Sequence, residues 1–116
     1  MVFPAQLIMD IGFPVRKQIL YKLKKISIES EKEVCGYVIN NEFLQKENIH
    51  PDPFRYFVIS PNECIWAKDA ILFHSHPLKA DIKGFSEWDL ENQFYFQIDM
   101  LLYSVKYNRF YFKRND

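Results

Sequence analysis

Glycine is scarce in this 116-residue chain: only Gly12, Gly36 and Gly84 are present. Neither GxGxxG nor GxxxxGK[ST] can be written from three glycines so placed, which excludes a Rossmann dinucleotide fingerprint and a P-loop. Cysteine is scarcer still. Cys35 and Cys64 are too few for a disulfide scaffold and form no CxxC pair for a zinc ribbon or a redox motif. No sign of charge dominates, because 15 Lys and Arg meet 15 Asp and Glu. The basic excess of a nucleic-acid carrier is therefore missing, and no nucleic-acid partner is expected. The same neutrality removes electrostatic solubility and eases self-association. No apolar run approaches the ~18 residues of a membrane span. Met1-Val2-Phe3-Pro4 opens without a basic segment or a long apolar stretch, so no signal peptide and no membrane partner are expected. With so few cysteines, the expected location is a reducing, cytoplasmic one.

What is present is globular in kind. Hydrophobic residues make up 48% and charged residues 26%, and the length suits a single domain spanning 1–116 with one modest core. Aromatics reach 17%; such large side chains fill a small core quickly and leave some of their number outside it.

Residues 1–13 are apolar but broken by Pro4 and Gly12 and followed by Pro14, and no element is assigned to them. From Pro14 to about Ser30, Val15, Ile19, Leu23 and Ile26 recur at three and four, which predicts an amphipathic helix with Pro14 near its start. Lys17, Lys22, Lys24 and Lys25 fill its other faces and read as a solvated surface. Glu33 to Asn40 is β-branched and aromatic without helical period, hence a strand. Asn40-Asn41 turns, and Glu42 to Ile49 returns as its partner. Two prolines make His50 to Pro53 a loop. A further strand is predicted over Arg55–Ser60, then one or two helical turns over Glu63–Asp69. Ala70 to Ser75 is a continuous apolar run ending in polar atoms, the mark of a buried central strand. After a loop, Ser86-Glu-Trp-Asp89 opens a helix to about Gln97 with a capping-box-like Ser86 and Asp89. Met100–Ser104 and Arg109–Phe112 close the chain as two strands around a turn at Tyr107-Asn108. The expected fold is α/β, a mixed β-sheet flanked by two main helices.

The segment that carries chemistry is His74-Ser75-His76-Pro77. Residues i and i+2 of a strand share a face, so two imidazoles at the end of a buried strand can converge on one metal ion. Pro77 stops the strand, and Asp89 arrives on the first turn of the next helix. Two histidines, a carboxylate and an open position suit catalytic zinc. Other metal patterns fail on spacing. There is no HExxH helix, and position 76 is His where a nucleotide deaminase motif needs Glu. Cys35 and Cys64 read as small buried residues.

With Glu33 added, the pattern Glu33…His74-Ser75-His76-Pro77…Ser86-Glu87-Trp88-Asp89 resembles the JAMM, or MPN+, zinc metalloproteases. The Glu33-Val34-Cys35-Gly36 context resembles that family's presentation of its glutamate, and the likeness runs from the amphipathic helix to the closing strands. The segment around Phe57-Val58-Ile59-Ser60-Pro61 looks most like the prokaryotic and phage tail-assembly branch. The resemblance implies an MPN/JAMM-type, cytidine-deaminase-like sandwich and Zn²⁺ held by His74, His76 and Asp89. It implies Glu33 as general base and then acid, and Ser86 as an oxyanion stabiliser. The implied reaction is hydrolysis of a peptide or isopeptide bond in a protein or peptide substrate, a ubiquitin-like or tail protein among them. A phage-encoded copy would lie in the host cytoplasm or with the virion. Ser86 also reads as only a helix cap, and Glu33 as only a polar residue at a strand start. The alternative function is a non-catalytic MPN-type scaffold or a tail structural protein. One departure is the eight residues from Leu78 to Phe85, where the family usually has six.

Two further expectations concern aromatics and a third histidine. On the second helix Leu90 and Phe94 are expected inward. Trp88 and Tyr95 then lie together on the other side, as a partner surface or beneath the 78–85 loop. His50 is expected to face solvent, outside the site.

Overall fold

The computed structural model describes residues 15–115, and the apolar 1–13 stretch with Pro14 lies outside them. Helix α1 spans Lys17–Ile28. It buries Leu20, Leu23 and Ser27, while Ile19 and Ile26 pack half-buried against the same core. The lysines lie on its other faces, three of them exposed and Lys24 half-buried. Strand β1, Cys35–Ile39, turns through Asn40 and Asn41, both left-handed at φ 51° and 61°. Two successive positive φ values are what a two-residue hairpin with native twist requires, and asparagine tolerates them. Strand β2, Glu42–Lys46, returns antiparallel. It ends before Asn48, whose side chain is occupied with the following loop.

Strand β3, Ile71–His76, is buried at every position and lies between β1 and β4. Helix α2, Glu87–Phe96, connects it to the parallel strand β4, Asp99–Ser104, and β5, Arg109–Lys113, closes the sheet antiparallel. The strand order is β2-β1-β3-β4-β5. This is an α/β fold with a five-stranded mixed sheet and two helices, as the element order predicts.

Alternation along the strands sends side chains to two apolar clusters. Val34, Val38, Ile71, Phe73, Leu101 and Tyr103 join α1's Leu20 and Leu23. On the other face Cys35, Tyr37, Leu72 and Met100 meet Phe57, Ile59 and Ile98. His74 and His76 share this second face with Leu72. No helix among the described residues is long and apolar enough to cross a membrane.

Four local expectations are corrected. Arg55 lies in a turn, and residues 56–60 form no regular element and join no sheet. Both edges of β3 are taken by β1 and β4; Phe57 and Ile59 are buried on the sheet's face instead, and the segment is tied down by the Ile49 amide to the Val58 carbonyl and by the Asn48 side chain to Tyr56 and Val58. The helical turns over Glu63–Asp69 shrink to a single 3₁₀ turn at Pro61–Glu63. On α2 the buried positions are Asp89 and Gln93, whereas Leu90 is 41% and Phe94 85% exposed. The polar side chains win the inner face because they have partners there. The Gln93 amide donates to the carbonyls of Ile98 and Lys113, and Asp89 meets the histidines. Trp88 and Tyr95 do not form one surface. Trp88 packs on His50 and Tyr56 and points its Nε1 at the Phe57 carbonyl, so the 50–57 segment covers it. Tyr95 stays exposed against Phe96.

Candidate metal centre

The site is built where β3 ends. His74 and His76 project from its last turn of pleat to one face, 0% and 1% exposed. Glu33 precedes β1 and Asp89 sits on the first turn of α2, 4% and 1% exposed. Ligand atoms from all four lie within 4.8 Å of one another. Asp89 bridges the two imidazoles: its Oδ2 is 3.1 Å from His76 Nε2 in a hydrogen bond, and its Oδ1 is 3.0 Å from His74 Nε2 without hydrogen-bond geometry.

Local structure explains why each donor is held. Ser86 caps α2 with its Oγ accepting from the Asp89 amide at 3.1 Å, and the Asp89 carboxylate accepts from the Ser86 amide at 2.9 Å. This reciprocal capping box satisfies two helix-end donors and fixes the carboxylate. Ser75, between the histidines, faces the other side. Its Oγ accepts from the Val34 amide at 2.8 Å, and its amide donates to the Val34 carbonyl at 2.9 Å. That clamp sets Glu33, one residue earlier, beside β3. The Glu33 backbone is fixed again by its amide to the Pro53 carbonyl and by Asn48 Nδ2 to its own carbonyl. Phe57 stacks on the His74 ring with centroids 4.7 Å apart and planes 21° from parallel.

The electrostatics of the cluster are those of a place made for positive charge. Burial, then the facing Asp89 and Asp52, pushes the Glu33 carboxyl up to about 10. Burial alone would raise Asp89 too, but the His74 and His76 rings together hold it well below the usual carboxylate range. Burial lowers His76, against the pull of Asp89, and so favours the neutral imidazole that can donate a lone pair. Glu33 Oε1, His74 Nδ1 and Nε2, and His76 Nδ1 are buried without hydrogen-bond partners. Buried polar atoms are rarely left so, and an ion is one of the few explanations for several at once. Two carboxylates and two imidazoles converging in a buried cluster fit a divalent metal.

No family model matches this sequence, and no curated protein does. The centre therefore stands on its own geometry.

The sequence-predicted metal set, His74, His76 and Asp89, lies within the cluster together with Glu33. Ser86 is the helix cap, and it also borders a groove of about 1240 Å³ that adjoins the centre. Its cap uses only a lone pair, so the hydroxyl proton remains to be given. Neither cysteine takes part. Burial, then Glu33, pushes the Cys35 thiol up to about 12, and its Sγ lies 3.6 Å from the Lys46 carbonyl; Cys64 lies against the Ile59 and Ser60 carbonyls. His50 is half-buried rather than solvent-facing. It sits beside Tyr56 and Trp88, and its Nδ1 accepts from the Asp52 amide. Sequence reasoning passed over Ser75, Asn48 and Phe57. Ser75 alone carried a signal, by standing between two same-face histidines. Asn48 bonds five backbone groups, of which only the His50 amide is a local, Asx-turn partner.

Proposed function

We propose that this protein is a zinc-dependent metallohydrolase of the JAMM/MPN+ kind, cleaving amide bonds in a peptide or isopeptide linkage. The observation that carries the reading is the buried convergence of Glu33, His74, His76 and Asp89 within 4.8 Å, with several donor atoms left unpartnered. The motif resemblance supplies the roles. His74, His76 and Asp89 would hold the metal, the three protein ligands that catalytic zinc sites use.

A zinc ion held there supplies Lewis acidity toward water and an amide carbonyl, and a positive charge against which Glu33 ionises. Glu33 then takes a proton from the attacking water and returns it to the leaving amine, serving first as base and then as acid. Ser86 Oγ, already accepting from the Asp89 amide, keeps its proton for the oxygen on which charge develops. The Ser86 amide and the two imidazoles keep Asp89 ionised and oriented. Phe57, stacked on His74, covers that buried ring.

The test is metal content and hydrolysis in the same preparations. Purified protein is expected to carry about one zinc per chain and to cleave an amide substrate from a peptide or isopeptide panel. Glu33→Gln is expected to keep the zinc and lose cleavage by ~10²-fold or more. A protein that neither retains nor takes up zinc overturns the reading.

A further inference from the structure

The chain is neutral overall, but the groove bordering Ser86 is not. Its walls carry five carboxylates, Glu29, Glu31, Asp81, Glu87 and Glu91, against two cations, Arg55 and Lys79. Two of these charges are already matched: Asp81 by Lys106 at 2.8 Å, with Tyr107 donating as well, and Arg55 by Asp52 at 3.7 Å. Among the described residues, the four glutamates have no ion pair, and Lys79 is the one cation of the walls without a partner. The glutamates come from separate places, Glu29 and Glu31 from the end of α1 and Glu87 and Glu91 one turn apart on α2. Between them the surface is apolar. Phe54 is 50%, Tyr56 37% and Leu78 65% exposed, and Trp88 is half-buried beside them. The groove reaches the neighbours of the metal centre: Pro77, which follows His76, and Ser86, which caps Asp89, both line it.

We infer that this groove is the substrate channel, and that it selects an extended polypeptide segment in which lysine or arginine residues accompany apolar ones. The inference rests on the metallohydrolase reading and names the substrate class for that site. Unmatched carboxylates on both sides draw in a cationic strand and repel an acidic one. The exposed aromatic floor takes the strand's apolar side chains, which loses nothing inside the protein because those rings already stand partly in water. A phosphate backbone fails on the same surface, because four like charges face it.

Trp88 makes the test direct. The chain has two tryptophans, and Trp66, 66% exposed, lies outside the groove lining. Full-length Trp66→Phe therefore reports on the groove by fluorescence without turnover. Three capped octapeptides serve as probes: one alternating leucine and lysine, one with glutamate for lysine, and one with serine for leucine. The leucine–lysine peptide is expected to bind at least about tenfold tighter than the glutamate peptide, and its advantage should shrink as salt shortens the range of the charges. Glu87→Gln with Glu91→Gln, or Glu29→Gln with Glu31→Gln, is expected to weaken it several-fold while zinc content stays unchanged. Equal binding of the lysine and glutamate peptides, undiminished binding of the serine peptide, or indifference to both double variants overturns the inference. Zinc uptake and cleavage that persist without any charge preference would sink the groove assignment alone. Charge-selective binding by a protein that takes no zinc would sink the metallohydrolase reading and leave the groove as a peptide-binding surface.

Discussion

At Glu33 a carboxyl group is 4% exposed and faces Asp89 across the cluster. With no cation between them, burial keeps Glu33 protonated at neutral pH, its value pushed up to about 10 from an ordinary 4.5. The folded metal-free chain thus holds a proton that the unfolded chain releases above pH 4.5. Stability from this group is complete below that pH and is lost as pH rises toward 10. Asp89 runs the other way, because its carboxyl is held low: its contribution is present above the ordinary value of 3.8 and fades in acid. Thermal melts in chelator test the first claim. Glu33→Gln should melt higher than wild type at pH 9, with the gap closing toward pH 5; equal melting temperatures at pH 9 would contradict it. Residue-scale chemistry was the most legible part of the sequence. His74 and His76 announce themselves by same-face spacing on an apolar strand, and Asp89 by its capping position. Glu33 had no such local signal and was reached through resemblance, since contacts remote in sequence, from Ser75 to Val34 and from Pro53 and Asn48 to its own backbone, place it there.

Among the elements, β1 and the hairpin it begins are the most tightly specified. Gly36 pairs with Gln45 of β2 and Phe73 of β3, and a Cβ there would stand 2.3 Å from the Leu44 carbonyl oxygen and 2.7 Å from the Phe43 ring. Backbone cannot give way as a side chain can, so Gly36→Ala is expected to cost about 3 kcal/mol by denaturant unfolding. Ser75→Ala leaves the Val34 amide buried without an acceptor and is expected to cost about 2 kcal/mol. Its sharper signature is slower cleavage with zinc retained, because Glu33 loses its anchor to β3. Cleavage unchanged in Ser75→Ala would show that the clamp does not position Glu33. The elements also show where sequence patterns stop. Strand β3 was readable because an unbroken apolar run, Ala70 to Phe73, leads into its polar end. The segment 55–60 has a strand's alternation, and burial of Phe57 and Ile59 follows it, but alternation says nothing about whether a free sheet edge awaits. On α2 hydrophobicity misleads outright, since the inner face was claimed by Asp89 and Gln93, whose partners lie 13 and 20 residues away in sequence.

Across the whole molecule, the sheet divides the labour between its faces. One face and α1 make the larger apolar cluster, and the other gives up part of its core to the four polar donors and their cover of Phe57, Phe85 and α2. A domain this small has little stability to spare, so the cluster's unsatisfied atoms make the metal-free state weaker than its fold alone would be. Metal binding is therefore expected to act as a staple. Zinc at 100 times its dissociation constant adds about 2.7 kcal/mol, equivalent to a rise of ~10 °C in Tm for a chain of this length, and chelator should reverse it. Aromatics left outside the core, Trp66, Phe94 and Tyr95, agree with the expectation drawn from composition that a small core would not hold them all.

The central claim is that Glu33, His74, His76 and Asp89 form one metal site. Its most direct test is the zinc stoichiometry of the metal-depleted chain after reloading and dialysis, measured beside Asp89→Ala and the His74→Ala, His76→Ala double variant. One zinc per wild-type chain, with little or none in either variant, is the predicted result. Wild type that holds no zinc, or variants that hold as much as wild type, would contradict it.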